Sequence, residues 1–213
     1  MISMTSERSP TEDRARKRKP REVRRFEIVF AARELFCERG FDRVSMDDVA
    51  AKVGITKAAV YLYFESKAEL FFEVITQAVD RLISDLEEAF ADPPHKPLVA
   101  KLDAANEALK GYAPVFRVSQ EMAEGGLPDS DFPPQAITQF MRKVHGRRER
   151  IRALLSGVFA HAQEEGEVRR DISADDISQI FATYAVTRAI SEVNYESAKE
   201  ILLHGILTTE DKQ

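Results

Sequence analysis

Apolar residues recur every three to four positions along most of this chain, and the strict alternation of a half-buried strand is missing. The pattern predicts an all-α fold. Between residues 45 and 67 it breaks into short pieces. Val49, Ala50 and Val53 make one small apolar face, and Val60 with Phe64 makes another. The residues between them suit helix ends. Ser45 stands at an N-cap with Asp48 in the first turn. Gly54 supplies the left-handed backbone that many helix ends need. Thr56 caps a second helix predicted over about 57 to 64, and Ser66 with Glu69 has the capping-box spacing that opens a third at Lys67. Two short helices across a tight turn, followed at once by another, form a helix-turn-helix, a shape whose second helix can lie in the DNA major groove.

The side chains on that second helix are sorted accordingly. Val60 and Phe64 lie four apart and face Val49 and the preceding helix. Lys57, Ala58, Tyr61 and Leu62 point elsewhere. An ammonium, a small side chain and a phenol suit close approach to phosphates and base edges. Tyrosines at a core edge are common too. The agreement of caps, glycine, apolar pair and trailing Ser66 and Lys67 favours DNA.

The stretch from Phe26 to Val74 resembles the DNA-binding domain of the TetR family of bacterial transcriptional regulators. The matching residues are Ile28, Ala32, Phe36, Gly40 and Phe41, then Val49, Ala50, Val53, Gly54, Ile55, Thr56, Val60, Tyr61, Tyr63, Phe64, Ser66, Lys67 and Leu70. Ala58 and Ala59 stand where many members carry glycine or threonine. Alanine is as small, so docking is expected to survive, but the operator cannot be borrowed from a relative. Charge marks off a basic arm over 1–20, and the resemblance implies a helix-turn-helix domain over 21–67 and a larger helical effector-binding and dimerisation domain over 68–213. It implies backbone contacts by Thr56, Tyr61, Tyr63 and Lys67, and base readout by Lys57 with Ala58 and Leu62 against groove methyls. Ser45, Arg24 and Arg25 complete the expected DNA-binding set.

Charge agrees once it is divided. The chain carries −5 overall. Residues 1–67 hold 15 basic and 11 acidic residues, a balance of +4, and the remainder holds 16 and 25, a balance of −9. The first 25 residues are denser still, with nine basic and four acidic. Their polarity predicts a disordered arm that tracks phosphates or enters a minor groove, or else a solvated tail.

Beyond Lys67, helices are predicted over about 67 to 90, 97 to 109, 115 to 124, 135 to 165, 173 to 193 and 197 to 207, with a loop over 125–134. The last two carry apolar stripes, among them Ile177, Ile180, Phe181, Ile201 and Leu202, that need this chain's core or a second copy. The resemblance implies a homodimer through this pair, and the twofold symmetry of a palindromic site leads to the same place. Phe116, Met122, Phe140, Met141, Phe159, Phe181 and Tyr184 are the candidates to line an effector cavity. Such residues are also ordinary core. The family implies a small effector, and the lining favours a hydrophobic one, whose entry would release a repressor from its operator. An activator, or a regulator without effector, fits the same residues.

No cofactor is expected. His161 with Glu164 and Glu165 is the one metal-like grouping, and a helical-bundle metalloenzyme needs several such turns on facing helices. Phosphate loops, nucleophile elbows and paired cysteine spacings are missing. Cys37 is the single cysteine, so an intrachain disulfide cannot form. No run approaches a membrane span and the basic N-terminus is not a secretory signal, so a cytoplasmic protein is expected.

Overall fold

The computed structural model describes residues 20–91, 97–125, 134–190 and 195–207. Nine α-helices are found among them: α1 (Arg21–Arg39), α2 (Met46–Val53), α3 (Lys57–Tyr61), α4 (Lys67–Ala91), α5 (Leu98–Lys110), α6 (Ala113–Gly125), α7 (Pro134–Glu164), α8 (Ala174–Ile190) and α9 (Tyr195–Ile206). The basic arm up to Lys19 lies outside the described residues.

Local chemistry sets the ends of the first helices. α1 starts behind Pro20 and stops at Gly40, whose φ of 79° an L side chain resists. Ser45 and Asp48 form a reciprocal capping box on α2, and Gly54 ends that helix in the left-handed region at φ 74°, ψ 37°. Thr56 accepts from the Ala59 amide at 3.2 Å to start α3. α3 is shorter than the predicted 57 to 64. The amides of Tyr63 and Phe64 both return to the Val60 carbonyl, at 2.9 and 3.1 Å, which closes the helix and turns Phe64 inward. The cap of α4 also departs from the ideal box. Ser66 accepts from Glu69 N, but the Glu69 carboxylate accepts from Glu65 N at 2.6 Å, one residue earlier than expected.

The helix predicted from about 115 starts two residues earlier, with Pro114 inside the first turn of α6. Its missing N–H would be unpaired there in any residue. α5 has no side-chain cap of its own, because Pro97 precedes it. Glu167, from the turn after α7, accepts from the Leu98 amide at 3.0 Å instead.

Two apolar clusters hold the helices together. The first joins α1, α2 and α3 to α4 and reaches Ala105, Tyr112, Val115 and Val118 on α5, α6 and the turn between them. The expected boundary at residue 67 coincides with the start of α4, and buried core continues across it. The second gathers Leu98, Leu102, Leu155, Phe159, Val168, Ile177, Phe181 and Leu203. Phe90 and Ile151 pack against both. Past α7 the chain turns sharply. Gln163 donates to the carbonyls of Arg169 and Ile172, both at 2.8 Å. Val168 pairs with Leu207 in an isolated antiparallel bridge that fixes the end of α9.

Candidate nucleic-acid interface

α3 and the turn that follows it present two opposite surfaces. Val60 and Phe64 are fully buried, whereas Tyr61 is 45% and Leu62 74% exposed. Thr56, Lys57 and Ala58 are exposed beside them, and Tyr63 is half-buried with the Arg21 guanidinium 5.9 Å from its ring centroid. The outward face therefore carries one ammonium, two small positions, a phenol and a leucine. Water does not favour an exposed leucine next to a tyrosine, and groove methyls and sugars would cover both.

The charged groups near this face are engaged within the protein. Lys57 Nζ donates to Asp47 Oδ2 at 2.6 Å, across the turn between α2 and α3, and this bond raises its pKa. Asp48 is held below the usual carboxylate range, first by its hydrogen bonds with Ser45. Ser45 itself is spent on the α2 cap, accepting from Asp48 N at 3.1 Å. Lys67 Nζ donates to the Phe41 carbonyl at 3.2 Å and lies 4.0 Å from the Phe41 ring centroid. It thus ties the exit of α1 to the start of α4.

Arg24 donates to Glu27 at 2.9 Å. Arg25 makes a longer link: it donates to Glu73 of α4 at 2.6 Å and stacks 4.7 Å from the centroid of Phe64. Glu73 also accepts from Gln77 at 3.0 Å. The hydrogen bond to Arg25 holds Glu73 below its ordinary pKa and raises that of Arg25. Arg25 and Glu73 are 48 residues apart, so no local spacing in the sequence announced the pair.

The candidate effector residues fall into separate places. Phe116 and Phe140 pack against the first cluster. Phe140 stacks on Phe72 of α4 with centroids 4.2 Å apart and planes 9° from parallel. Phe159 and Phe181 belong to the second cluster and meet edge-on at 5.8 Å, with Tyr184 6.4 Å beyond Phe181. Met141 is 57% exposed. The side chain of Met122 lies outside the described residues.

Burial pushes the Cys37 thiol up, which keeps it protonated. His161 Nδ1 is 3.9 Å from Glu164, and the described residues hold no group of three or more His, Cys, Asp or Glu side chains able to bind a metal. None of the described helices is long and apolar enough to cross a membrane.

Known proteins match this architecture. The model for bacterial regulatory proteins of the tetR family matches residues 28–74. The transcriptional activator FasR of Mycolicibacterium smegmatis is 39% identical over 72 residues, 34% of this chain and only 33% of FasR. The transcriptional repressor BepR of Brucella suis is 24% identical over 187 residues, 84% of either chain. The fatty acid degradation regulator FadR from Bacillus halodurans superposes with a TM-score of 0.64 at 13% identity, covering 92% of this chain and all of its own. The matched segment contains the capped α2–α3 pair and its sorted recognition surface, and the all-helical remainder has the same architecture. Residues 28–74 carry a DNA-binding domain of the tetR family of bacterial regulatory proteins, and the chain as a whole has the all-α architecture of such regulators.

Proposed function

We propose that this regulator is a repressor that binds a near-palindromic operator as a homodimer and leaves it when a small hydrophobic molecule enters the helical domain. The observation that carries the DNA contacts is the division of α3 and the turn after it, with Val60 and Phe64 at 0% exposure and Leu62 at 74%. Lys57 reads bases after exchanging Asp47 for a guanine edge, and Ala58 and Leu62 touch groove methyls. Thr56, Tyr61 and Tyr63 meet the backbone. Lys67, already bonded to Phe41, adds its charge at a phosphate.

The dimer is supported by α8 and α9. α8 buries Ile177 and Phe181 but leaves Ile180 57% exposed, and α9 leaves Ile201 74% exposed. A helix apolar on two sides has one side for its own core and one for a partner. The twofold places the two α3 helices about one DNA turn apart, roughly 34–36 Å. The release step rests on α4, which carries Glu73 at one end of its contact with Arg25 and Phe72 against Phe140 of α7. A ligand that displaces α7 would move α4 and, through Arg25 and Phe64, tilt α3. A coupling of about 1–3 kcal/mol corresponds to a ~5–150-fold loss of operator affinity.

BepR, which matches along 84% of its length, is named a repressor and favours this sign over activation. FasR is named an activator, but its match is confined to about a third of its length. The test is fluorescence anisotropy against fragments of the gene's own upstream DNA and random DNA, across a salt series. One near-palindromic fragment should bind far more tightly than random DNA. Tyr61→Ala should weaken both alike, whereas Lys57→Ala should also cost about 1–3 kcal/mol of discrimination. Equal losses on both DNAs for Lys57→Ala would remove it from base readout. In sedimentation, Ile180→Arg with Ile201→Arg should yield monomers with no specific complex.

A further inference from the structure

One exposed acid, Asp47, sits among the residues proposed to meet DNA. Asp47 and Asp48 stand side by side in the first turn of α2, and only Asp48 serves its cap. Asp48 accepts from the Ser45 amide at 2.8 Å and faces Arg39 at 3.7 Å. Asp47 instead accepts from Lys57 Nζ, across the turn at the first residue of α3, at 2.6 Å. The Asp47 and Lys57 side chains are 63% and 50% exposed, beside the exposed Thr56 and Ala58.

Phosphates repel a carboxylate on a DNA-facing surface, and the pairing cancels the charge that Lys57 would bring to them. The pair therefore gains little from the backbone, and its use is at the bases. In the major groove a carboxylate finds only amino N–H donors, cytosine N4 or adenine N6. An ammonium has three N–H groups. Asp47 takes one and two remain. Across a G·C pair the groove edge runs acceptor, acceptor, donor: guanine N7, guanine O6, cytosine N4. Across A·T it runs acceptor, donor, acceptor, then methyl. Only the first order sets two neighbouring acceptors against the two remaining N–H groups and a donor against the carboxylate. The 2.6 Å from Nζ to Oδ2 also suits guanine O6 and cytosine N4, which lie about 2.9 Å apart in their own hydrogen bond. We propose that Asp47 is a second base-reading residue: the pair reads one G·C, Lys57 donating to guanine N7 and O6 and Asp47 accepting from cytosine N4. This rests on Lys57 as a base reader and adds an acid to it.

Selection of randomised duplexes on the full-length protein should enrich one G·C position in each half-site. On such a duplex, N4-methylcytosine at that position keeps the pairing and both guanine acceptors but puts a methyl in place of the free N4–H. Wild-type affinity, read by anisotropy, should then fall about tenfold. 7-Deazaguanine, which lacks N7, should weaken binding as well. Asp47→Ala should bind methylated and plain duplexes alike. Each comparison is made within one protein, so a small loss of stability in the variant cancels. Asp47→Ala should also bind random DNA more tightly, with a salt slope steeper by about one, as the freed Lys57 turns to a phosphate. A mere brace between α2 and α3 would give no such gain. Wild-type binding that ignores the N4-methyl, or a methyl effect that survives Asp47→Ala, would overturn Asp47 as a reader, while the 7-deazaguanine effect would still stand for Lys57. Wild-type binding that ignores both modifications, or a selection without any fixed G·C position, would remove Lys57 from base readout and Asp47 with it.

Discussion

The reading head, α1 to α3, and the helices behind α4 solve the same problem with different chemistry. In the head, α2 and α3 are capped from within the same few residues: Ser45 with Asp48, Gly54, Thr56. Behind α4, distant partners intervene. Glu167 caps α5 from 69 residues away, and Lys199 of α9 reaches Asp103 of α5 at 2.9 Å, 96 residues distant. A head whose helix ends are fixed locally holds those ends in place even when distant contacts change. A domain held by long-range ties can shift as those ties shift, which is what the proposed effector response requires.

The sharpest way to break the comparison is at a large side chain in the core that the head shares with α4. Phe64 is fully buried, belongs to the first cluster and supports the Arg25 guanidinium. Phe64→Ala should cost about 3–5 kcal/mol, since a phenyl-sized void in a packed core only partly collapses. Urea unfolding gives the number. DNA binding should fail with it, because α3 loses the anchor that turns its outward face to solvent. A loss under about 1 kcal/mol would mean the head does not depend on α4.

The same contrast decides what the sequence could reveal. Ser45, Gly54, Thr56 and Ser66 act within four residues of where they stand, so the ends of α2 and the starts of α3 and α4 were legible. The far end of α3 was not. The residues through Phe64 have helical apolar spacing, and only the return of two amides to the Val60 carbonyl ends the helix early. Arg25 and Lys67 are expected at the DNA, and their contacts within the protein were not visible in the sequence. Their partners, Glu73 and the Phe41 carbonyl, lie 48 and 26 residues away, where no periodicity points. The start of α6 at Ala113, two residues before the predicted 115, escaped notice for a related reason, since Pro114 marks a helix start as readily as a stop. The apolar residues of α5 to α8 were readable as buried or exposed only once two separate clusters existed to receive them.

A milder perturbation tests the long-range side. Glu167→Ala removes the distant cap and leaves the Leu98 amide without its acceptor, at a cost of about 1–2 kcal/mol. Hydrogen exchange should quicken first in the opening turn of α5 and in the corner around Val168. The α2 and α3 amides should keep their protection. Equal acceleration in α2 would show that the head is not locally held.

The smallest effect lies on the tie between the two regions. Arg25 and Glu73 are partly buried, with 37% and 16% of their side chains exposed, so solvent screening limits the pair to about 1 kcal/mol. Glu73 is held below its ordinary value of 4.5 by the hydrogen bond to Arg25. A carboxylate with a lowered folded pKa stabilises the fold fully above its unfolded value, and the contribution is lost as pH falls through the folded one. A double-mutant cycle of Arg25→Gln and Glu73→Gln should therefore give a coupling of about 1 kcal/mol at pH 7 that declines below about 4.5 and vanishes in stronger acid. Arg25 guanidinium stacking on Phe64 does not titrate in this range, so the Arg25→Gln variant should stay slightly less stable than wild type even after the coupling is gone. A coupling near zero at pH 7 would assign the tie to stacking alone and leave α4 without a polar grip on the reading head.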